Sequence, residues 1–136
     1  MKIEDIRPNS VEAVAFFVLY ICAQDKVISD EERNTLIKFS KYEIINNLKD
    51  YQYKKEGLEK IIFRISDLII KSKFLHKYTS KEEKALVNHL INDIDVIKVA
   101  LRISRVAASA DEFSDREKIK FKYWIDTWKG RILDGD

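Results

Sequence analysis

The sequence predicts an all-α protein, folded as a single compact bundle of about six helices. Proline occurs once and glycine three times in 136 residues, so the chain lacks the turn residues that β-hairpins need. Helix-start signals recur instead. The capping-box pattern, a hydroxyl residue three positions before a glutamate, occurs at Ser29 and Glu32, at Ser80 and Glu83, and at Ser114 and Glu117.

The first half of the chain is predicted to form three helices. The first runs from about Asn9 or Ser10 to Gln24 and is apolar on almost every side, which is typical of a central helix. The second begins at Ser29 and runs to about residue 47. The third covers roughly residues 55–73, where apolar side chains recur at the helical spacing i, i+3, i+4 and i+7. These side chains are Leu58, Ile61, Ile62, Ile65, Leu68 and Ile69.

The second half is predicted to form three more helices. Ser80 begins a short fourth helix, a fifth covers about residues 93–110, and Ser114 caps a sixth that ends near Gly130. Trp124 and Trp128 lie one turn apart in the sixth helix. We interpret them as core residues, with an exposed docking surface as the alternative. No Gly/Ser-rich linker divides the chain, so residues 1–136 are expected to form one domain.

The single cysteine and the most apolar run bear on the cellular compartment. Cys22 has no second cysteine to pair with and lies inside the run from Ala13 to Ala23, which predicts a buried thiol without a disulfide. As a helix this run is about 17 Å long, too short for a bilayer core of about 30 Å. It is not preceded by signal-peptide features. We therefore expect a soluble cytoplasmic protein without membrane insertion.

Two acidic stretches near opposite ends of the chain resemble each other. AQDKVISDEE covers residues 23–32, and ASADEFSDRE covers residues 108–117. Each one follows an apolar helix and leads through a capping serine into the next helix. Two copies are too few for a solenoid, so we expect one bundle with a pseudo-twofold repeat of this acidic junction.

These stretches also resemble the acidic motifs of the tellurite-resistance TerB-like family, which is also found as a domain of a DnaJ-like co-chaperone. The family motifs have Asp-Gly where this chain has Asp25-Lys26, and Asp-Gly-x-Phe-Ser where it has residues 110–114, ADEFS. Both departures remove the glycine. The resemblance implies an all-helical, stress-associated domain without an established catalytic reaction, whose acidic surface is proposed to bind metal.

The two acidic junctions are a candidate site for a divalent cation. Asp25, Glu32, Asp111 and Glu117 are the candidate ligands, because hard cations such as Ca²⁺ and Mg²⁺ prefer carboxylate oxygens. Mn²⁺ and Zn²⁺ are the other candidate ions. The alternative is that these residues only cap helices, since acidic side chains are favoured in the first turn of a helix. The twelve-residue EF-hand spacing is absent.

The distribution of charge favours a protein partner over nucleic acid. The net charge is only +2, but residues 1–48 carry −2 and residues 49–105 carry +5, a polarity that suits docking to a charged protein. Lys98, Arg102 and Arg105 share one face of the fifth helix. Two roles are considered for these three residues: a solvated surface and a face that docks a partner. Nucleic-acid binding near Tyr51, Tyr53, Lys54 and Lys55 is not expected, because no recognised binding motif accompanies them.

The sequence offers no recognisable catalytic set. It lacks a glycine-rich phosphate loop, and His76 and His89 are not spaced as metal ligands. We therefore predict a non-catalytic binding or interaction module in a stress response, with a cation site at the acidic junctions. The first alternative is a metal-free adaptor that docks a protein partner through charged faces. The second is a metal-dependent enzyme, which requires both acidic junctions to meet beside a pocket. The sequence leaves the oligomeric state open.

Overall fold

The most apolar segment of the sequence forms the central helix of the fold. A computed structural model describes residues 3–25, 30–31, 33–35, 37–38, 55–72, 79–109 and 114–134. In it, α1 spans Val11–Cys22, and every one of its residues except Glu12 is buried. The N-cap is Ser10, whose Oγ accepts a hydrogen bond from the amide of Ala13 at 3.1 Å. The helix has almost no solvent face, as its all-round apolar character predicts.

The other described elements are also helical. A short 3₁₀ turn, Ile3–Asp5, precedes α1, and a second, Ala23–Asp25, follows it and is named η2. The described part of α2 covers residues 30–31, 33–35 and 37–38. Then come α3 (Lys55–Ser72), α4 (Ser80–Leu90), α5 (Ile94–Ser109) and α6 (Asp115–Asp134). The described ranges contain no strand, and the predicted all-α class is confirmed.

Among the described elements, α3, α5 and α6 make the main contacts with α1. The long helices α3 and α5 pack against it, and α6 packs against both α1 and α5. The apolar positions of α3 and α5 repeat at helical spacing and turn inward, so each helix buries one stripe. Fully burying one such aliphatic side chain stabilises the fold by about 1.5–3 kcal/mol. The buried residues of the two stripes are Ile61, Ile62, Ile65 and Ile69 in α3 and Val96, Ile97, Val99, Ala100, Ile103 and Ala107 in α5.

Among the described residues, Arg33 links the α2 segment to α3. The guanidinium of Arg33 lies 5.4 Å from the ring centroid of Phe63, and its Nη1 lies 3.5 Å from the hydroxyl of the buried Ser66. Its Nη2 pairs with Asp30 at 2.5 Å. A planar cation suits this position because its face stacks on an aromatic ring while its edge donates hydrogen bonds.

Two of the predicted capping boxes fall on described residues, and one of them is misplaced. At α6 the prediction is confirmed, since Ser114 Oγ accepts from the amide of Glu117 at 3.2 Å and Glu117 Oε1 accepts from the amide of Ser114 at 3.0 Å. At α4 the pair Ser80 and Glu83 is wrong, because Thr79 is the N-cap. The predicted cap at Ser29 and Glu32 lies outside the described residues.

The α4 cap follows from two overlapping patterns in the segment TSKEE, residues 79–83. Thr79 Oγ1 accepts from the amide of Glu82 at 3.2 Å, and Glu82 Oε1 accepts from the amide of Thr79 at 3.1 Å. The hydrogen bond from the Thr79 amide lowers the pKa of Glu82, because it stabilises the charged carboxylate. Starting the helix one residue earlier leaves Glu83 available for a tertiary contact.

The predicted end of the sixth helix near Gly130 is also wrong. α6 continues for four more residues, to Asp134, and Gly130 has no positive φ. Glycine permits the left-handed conformation that ends many helices but does not impose it. The residues that follow it here, Arg131 to Leu133, are compatible with a helix.

One asparagine ties the start of α1 to the connection between α4 and α5. Asn9 has a φ of 58°, and its backbone N–H donates to the backbone carbonyl of Leu90 at 2.7 Å. Its Oδ1 accepts from the amides of Asn92 and Asp93, both at 3.0 Å, and its Nδ2 donates to Asn92 Oδ1 at 2.9 Å. Asparagine suits the site because it tolerates a positive φ and also supplies both a donor and an acceptor.

Two substitutions separate these roles of Asn9. We expect Asn9→Gly to lower the free energy of unfolding by about 1–2 kcal/mol, because it removes three side-chain hydrogen bonds but still permits the positive φ. Asn9→Ala loses the same bonds and adds about 1 kcal/mol of backbone strain. Urea denaturation of the three proteins measures both steps. Equal stability of the wild type and Asn9→Gly would contradict the role assigned to the side chain.

Candidate functional site

Of the four predicted cation ligands, Glu117 is the one whose side chain lies within the described residues. Glu117 lies in the first turn of α6 and is 1% exposed, and its Oε1 serves the capping box with Ser114. Asp25 is the last residue of η2, but its side chain lies outside the described part, as do Glu32 and Asp111. The capping role weighed for these residues therefore holds for Glu117, and the cation site stays a prediction.

The relative direction of α1 and α6 determines where the first acidic junction leads. Phe17 packs against both Trp124 and Trp128. Tyr20, about one turn later, contacts Trp124 and lies beneath the ammonium of Lys120. The contacts thus move backwards along α6 as α1 moves forwards, so the two helices are antiparallel.

This antiparallel arrangement carries the chain after α1 towards the start of α6. The turn η2 packs against α6, in agreement with that direction. The element that contains Asp25 therefore lies against the helix whose first turn contains Glu117. The sequence alone does not predict this arrangement.

A cluster of four side chains, Tyr20, Glu83, Lys120 and Trp124, joins α1, α4 and α6, and we name it the Tyr20 cluster. The Tyr20 hydroxyl donates to Glu83 Oε1 and accepts from Trp124 Nε1 at 3.1 Å. Lys120 Nζ lies 2.8 Å from the same Glu83 oxygen. Tyr20 and Trp124 are fully buried, whereas the side chains of Glu83 and Lys120 are 13% and 28% exposed.

The electrostatics of the cluster keep Tyr20 protonated. Burial raises the pKa of its hydroxyl above the ordinary value of 10.0, and the hydrogen bond to Glu83 raises it further, while the bond from Trp124 acts in the opposite direction. A phenol of this kind acts as a hydrogen-bond donor and not as a base at neutral pH. The charges of Glu83 and Lys120 compensate each other beside it. The arrangement is suited to fixing three helices together.

The two tryptophans complete this part of the core. Both are fully buried, and their ring centroids are 4.8 Å apart. Trp128 Nε1 donates to Asn88 Oδ1 at 3.1 Å, so each indole N–H has an acceptor, as buried tryptophans require. Their interpretation as core residues is confirmed, and the docking alternative for them is wrong.

Sequence reasoning missed the Tyr20 cluster, although one signal was present. Tyr20 carries a hydroxyl inside a run that is otherwise apolar, and a buried tyrosine hydroxyl generally needs a partner. The partner Glu83 is 63 residues away. Periodicity within one helix contains no information about which distant carboxylate completes such a contact.

The remaining predicted residues are placed as follows. Cys22 is buried, as predicted. His89 is exposed, Lys98 is half-buried, and Arg102 and Arg105 are exposed on α5. The described part of the chain contains no group of three or more His, Cys, Asp or Glu side chains placed to hold a metal ion. Outside it lie His76, Tyr51, Tyr53, Lys54 and the side chain of Lys55.

The comparisons with known proteins and the search for membrane spans are both negative. No protein-family model matches the chain, and no curated protein or solved structure shows significant similarity to it. The likeness to TerB-like domains therefore depends on the motif residues and the helical layout. Within the described ranges, no helix combines the length and the apolar character needed to cross a bilayer.

Removing the Tyr20 hydroxyl tests the cluster at two pH values. At neutral pH, Tyr20→Phe should lower the free energy of unfolding by about 1–3 kcal/mol, because the buried N–H of Trp124 loses its acceptor. Above about pH 10 the unfolded tyrosine ionises while the folded one stays protonated. The wild type should then lose about 1.4 kcal/mol of stability per pH unit, a contribution that is fully present below pH 10 and missing in Tyr20→Phe.

Tyr123→Phe is the matched control, because Tyr123 is an exposed tyrosine on the same helix as Trp124 and Lys120. It should change the stability by less than about 0.5 kcal/mol. Urea denaturation between pH 7 and pH 11 measures all three proteins. The same alkaline slope in the wild type and in Tyr20→Phe would disprove the argument.

Proposed function

We propose that the chain is a non-catalytic binding module of the TerB-like kind that serves a stress response, with a divalent-cation site where its two acidic junctions converge. The proposed ligands are Asp25, Glu32, Asp111 and Glu117. The observation that carries the proposal is the packing of η2 against α6, which brings the first junction towards the helix that the second junction begins.

Convergence matters to the proposal because each junction supplies two of the four proposed ligands. Ca²⁺ takes six to eight oxygens, and Mg²⁺ takes an octahedron that water completes. Asp111 precedes the first residue of α6 by four positions, and Glu117 is the third residue of that helix. Carboxylates gathered from two junctions repel one another unless a cation or a basic partner relieves the repulsion. A divalent ion does so with the oxygen ligands that it prefers.

The capping role of Glu117 is compatible with this site. Its Oε1 accepts one hydrogen bond from the amide of Ser114, and an ionised carboxylate has about four lone-pair positions on two oxygens. The partial positive charge of the helix N-terminus attracts an acidic side chain in the first turn. A residue fixed in this way is a more rigid ligand than one on a solvated surface.

The Tyr20 cluster supports the non-catalytic part of the proposal. Tyr20 donates to Glu83, and Glu83 pairs with Lys120, so the titratable groups of the cluster are directed at one another. Tyr20 has a raised pKa, which is unfavourable for a general base at neutral pH. Among the described residues, this chemistry fits a scaffold better than a reaction centre.

Thermal unfolding with and without cations tests the site. Wild-type protein at a cation concentration one hundred times the dissociation constant should gain about 2.7 kcal/mol, which raises the melting temperature by on the order of 5–10 °C. The double variant Asp25→Asn and Glu32→Gln should melt near the wild type in chelator and lose the shift in Ca²⁺, Mg²⁺, Mn²⁺ or Zn²⁺. Glutamine at position 32 also fits the capping box predicted there.

Glu31→Gln is the matched control, because it removes one exposed carboxylate from the same junction without removing a proposed ligand. It should keep the full cation-dependent shift. If the wild type shows no shift with any of the four ions at millimolar concentration, the carboxylates are caps and solvated surface only. The metal-free adaptor then becomes the preferred function.

That second candidate is favoured by the basic face of α5. Arg102 and Arg105 are exposed, and Lys98 is half-buried on the same face. A face with three positive charges attracts an acidic protein surface and accelerates its association. In this alternative the module recognises a protein partner through charge and needs no metal.

Charge reversal tests the adaptor. The triple variant Lys98→Glu, Arg102→Glu and Arg105→Glu should weaken the binding of a partner captured by the wild type at least about tenfold. The control reverses three exposed charges on α3, Lys60, Arg64 and Lys71, and should retain binding. Surface plasmon resonance against the identified partner measures both. Recovery of nucleic acid instead, with an affinity that falls steeply with salt, would contradict the adaptor.

A further inference from the structure

Two apolar side chains project from the outer face of α6. Ile119 is 70% exposed and Tyr123 is 41% exposed, and they lie about one turn apart. Single exposed apolar residues are common on soluble proteins. Two on one stripe form a continuous apolar patch, which is a feature of surfaces that bind another molecule.

Opposite charges flank this patch at matched distances. Arg116 and Asp126 are both exposed. At about 100° per residue, Arg116, Ile119, Tyr123 and Asp126 fall within an arc of roughly 80° on α6. Ile119 and Tyr123 each lie two residues from position 121, and Arg116 and Asp126 each lie five residues from it. The stripe is therefore symmetric about one position, with its charges reversed between the two halves.

We propose that the protein forms a twofold dimer in which α6 pairs antiparallel with α6 of a second copy. A twofold axis at the level of residue 121 places Ile119 against the partner's Tyr123, and Arg116 level with the partner's Asp126. Each contact occurs twice, as symmetry requires of an interface formed by one patch with itself. This inference is independent of the proposed cation site.

The stripe carries both positive and negative charges, which favours a second copy of the chain over a partner whose surface is charged with one sign only. The next exposed charges beside it, Asp115 and Lys122, are again one acidic and one basic. An acidic partner would meet Asp126, and a basic partner would meet Arg116, at positions where a like charge is unfavourable. An antiparallel copy opposes unlike charges at both ends.

The size of the stripe predicts a weak dimer. It is one helix face wide, which is less than the roughly 800 Å² per partner of a standard stable interface. We therefore expect a dissociation constant on the order of micromolar or somewhat weaker, so that monomer and dimer exchange within the range accessible to sedimentation analysis.

Charge exchange across the proposed axis is the decisive experiment. Sedimentation velocity of the full chain between about 1 µM and 1 mM should show a reversible monomer–dimer equilibrium. Arg116→Asp alone and Asp126→Arg alone should each weaken it at least about tenfold, since each replaces two unlike pairs by two like pairs. The double variant should regain wild-type affinity to within about threefold. It should not form mixed dimers with wild-type protein.

Apolar substitutions complete the test. Ile119→Asp should abolish the dimer. Ile70→Asp, at a 54% exposed isoleucine on α3, should leave it unchanged, and circular dichroism should report equal helix content in all variants. A monomer at every concentration would overturn the proposal. A folded double variant that fails to recover the dimer would also overturn it. So would a chain that stays monomeric and binds another protein or anionic vesicles through the patch that contains Ile119.

Discussion

The structure depends on the need to remove α1 from water on all sides. A helix that is amphipathic needs a neighbour along one stripe only, but α1 has apolar side chains on nearly all sides. It therefore requires α3, α5 and α6 at once. Because removing apolar surface from water is the dominant favourable term in folding, the positions of those three helices are set by the surface that they must cover.

Hydrophobic burial alone does not determine the position of each helix along the axis of α1. Polar contacts between side chains fix that position. The Tyr20 cluster sets α6 and α4 relative to the C-terminal half of α1, and the contacts of Asn9 set the α4–α5 connection relative to its start. A shift of α6 by one residue along α1 would separate Trp124 Nε1 from the Tyr20 hydroxyl and leave buried polar atoms without partners, which is expensive in a low-dielectric core. The two sets of contacts act at opposite ends of the same helix.

The sequence predicts much of this fold because most of its signals are local. The apolar run of α1, the spacing of isoleucines in α3 and the serine cap of α6 each depend on residues a few positions apart. The errors have local causes as well: Thr79 and Ser80 begin equally good capping patterns, and Gly130 permits a helix end without imposing one. The contacts between Tyr20, Glu83 and Lys120 are different, because they depend on how distant helices are placed. The packing of η2, which contains Asp25, against α6, which contains Glu117, likewise depends on how distant helices are placed.

The central position of α1 also has a consequence for synthesis of the chain on the ribosome. Tyr20 and its indole partner are 104 residues apart, so at about 5–20 residues per second the helix emerges roughly 5–20 s before the last of its neighbours. During that interval its apolar circumference has no complete cover. Such a nascent segment is a natural substrate for chaperones that bind exposed apolar chain, and the burial of α1 is completed only after α6 has been made.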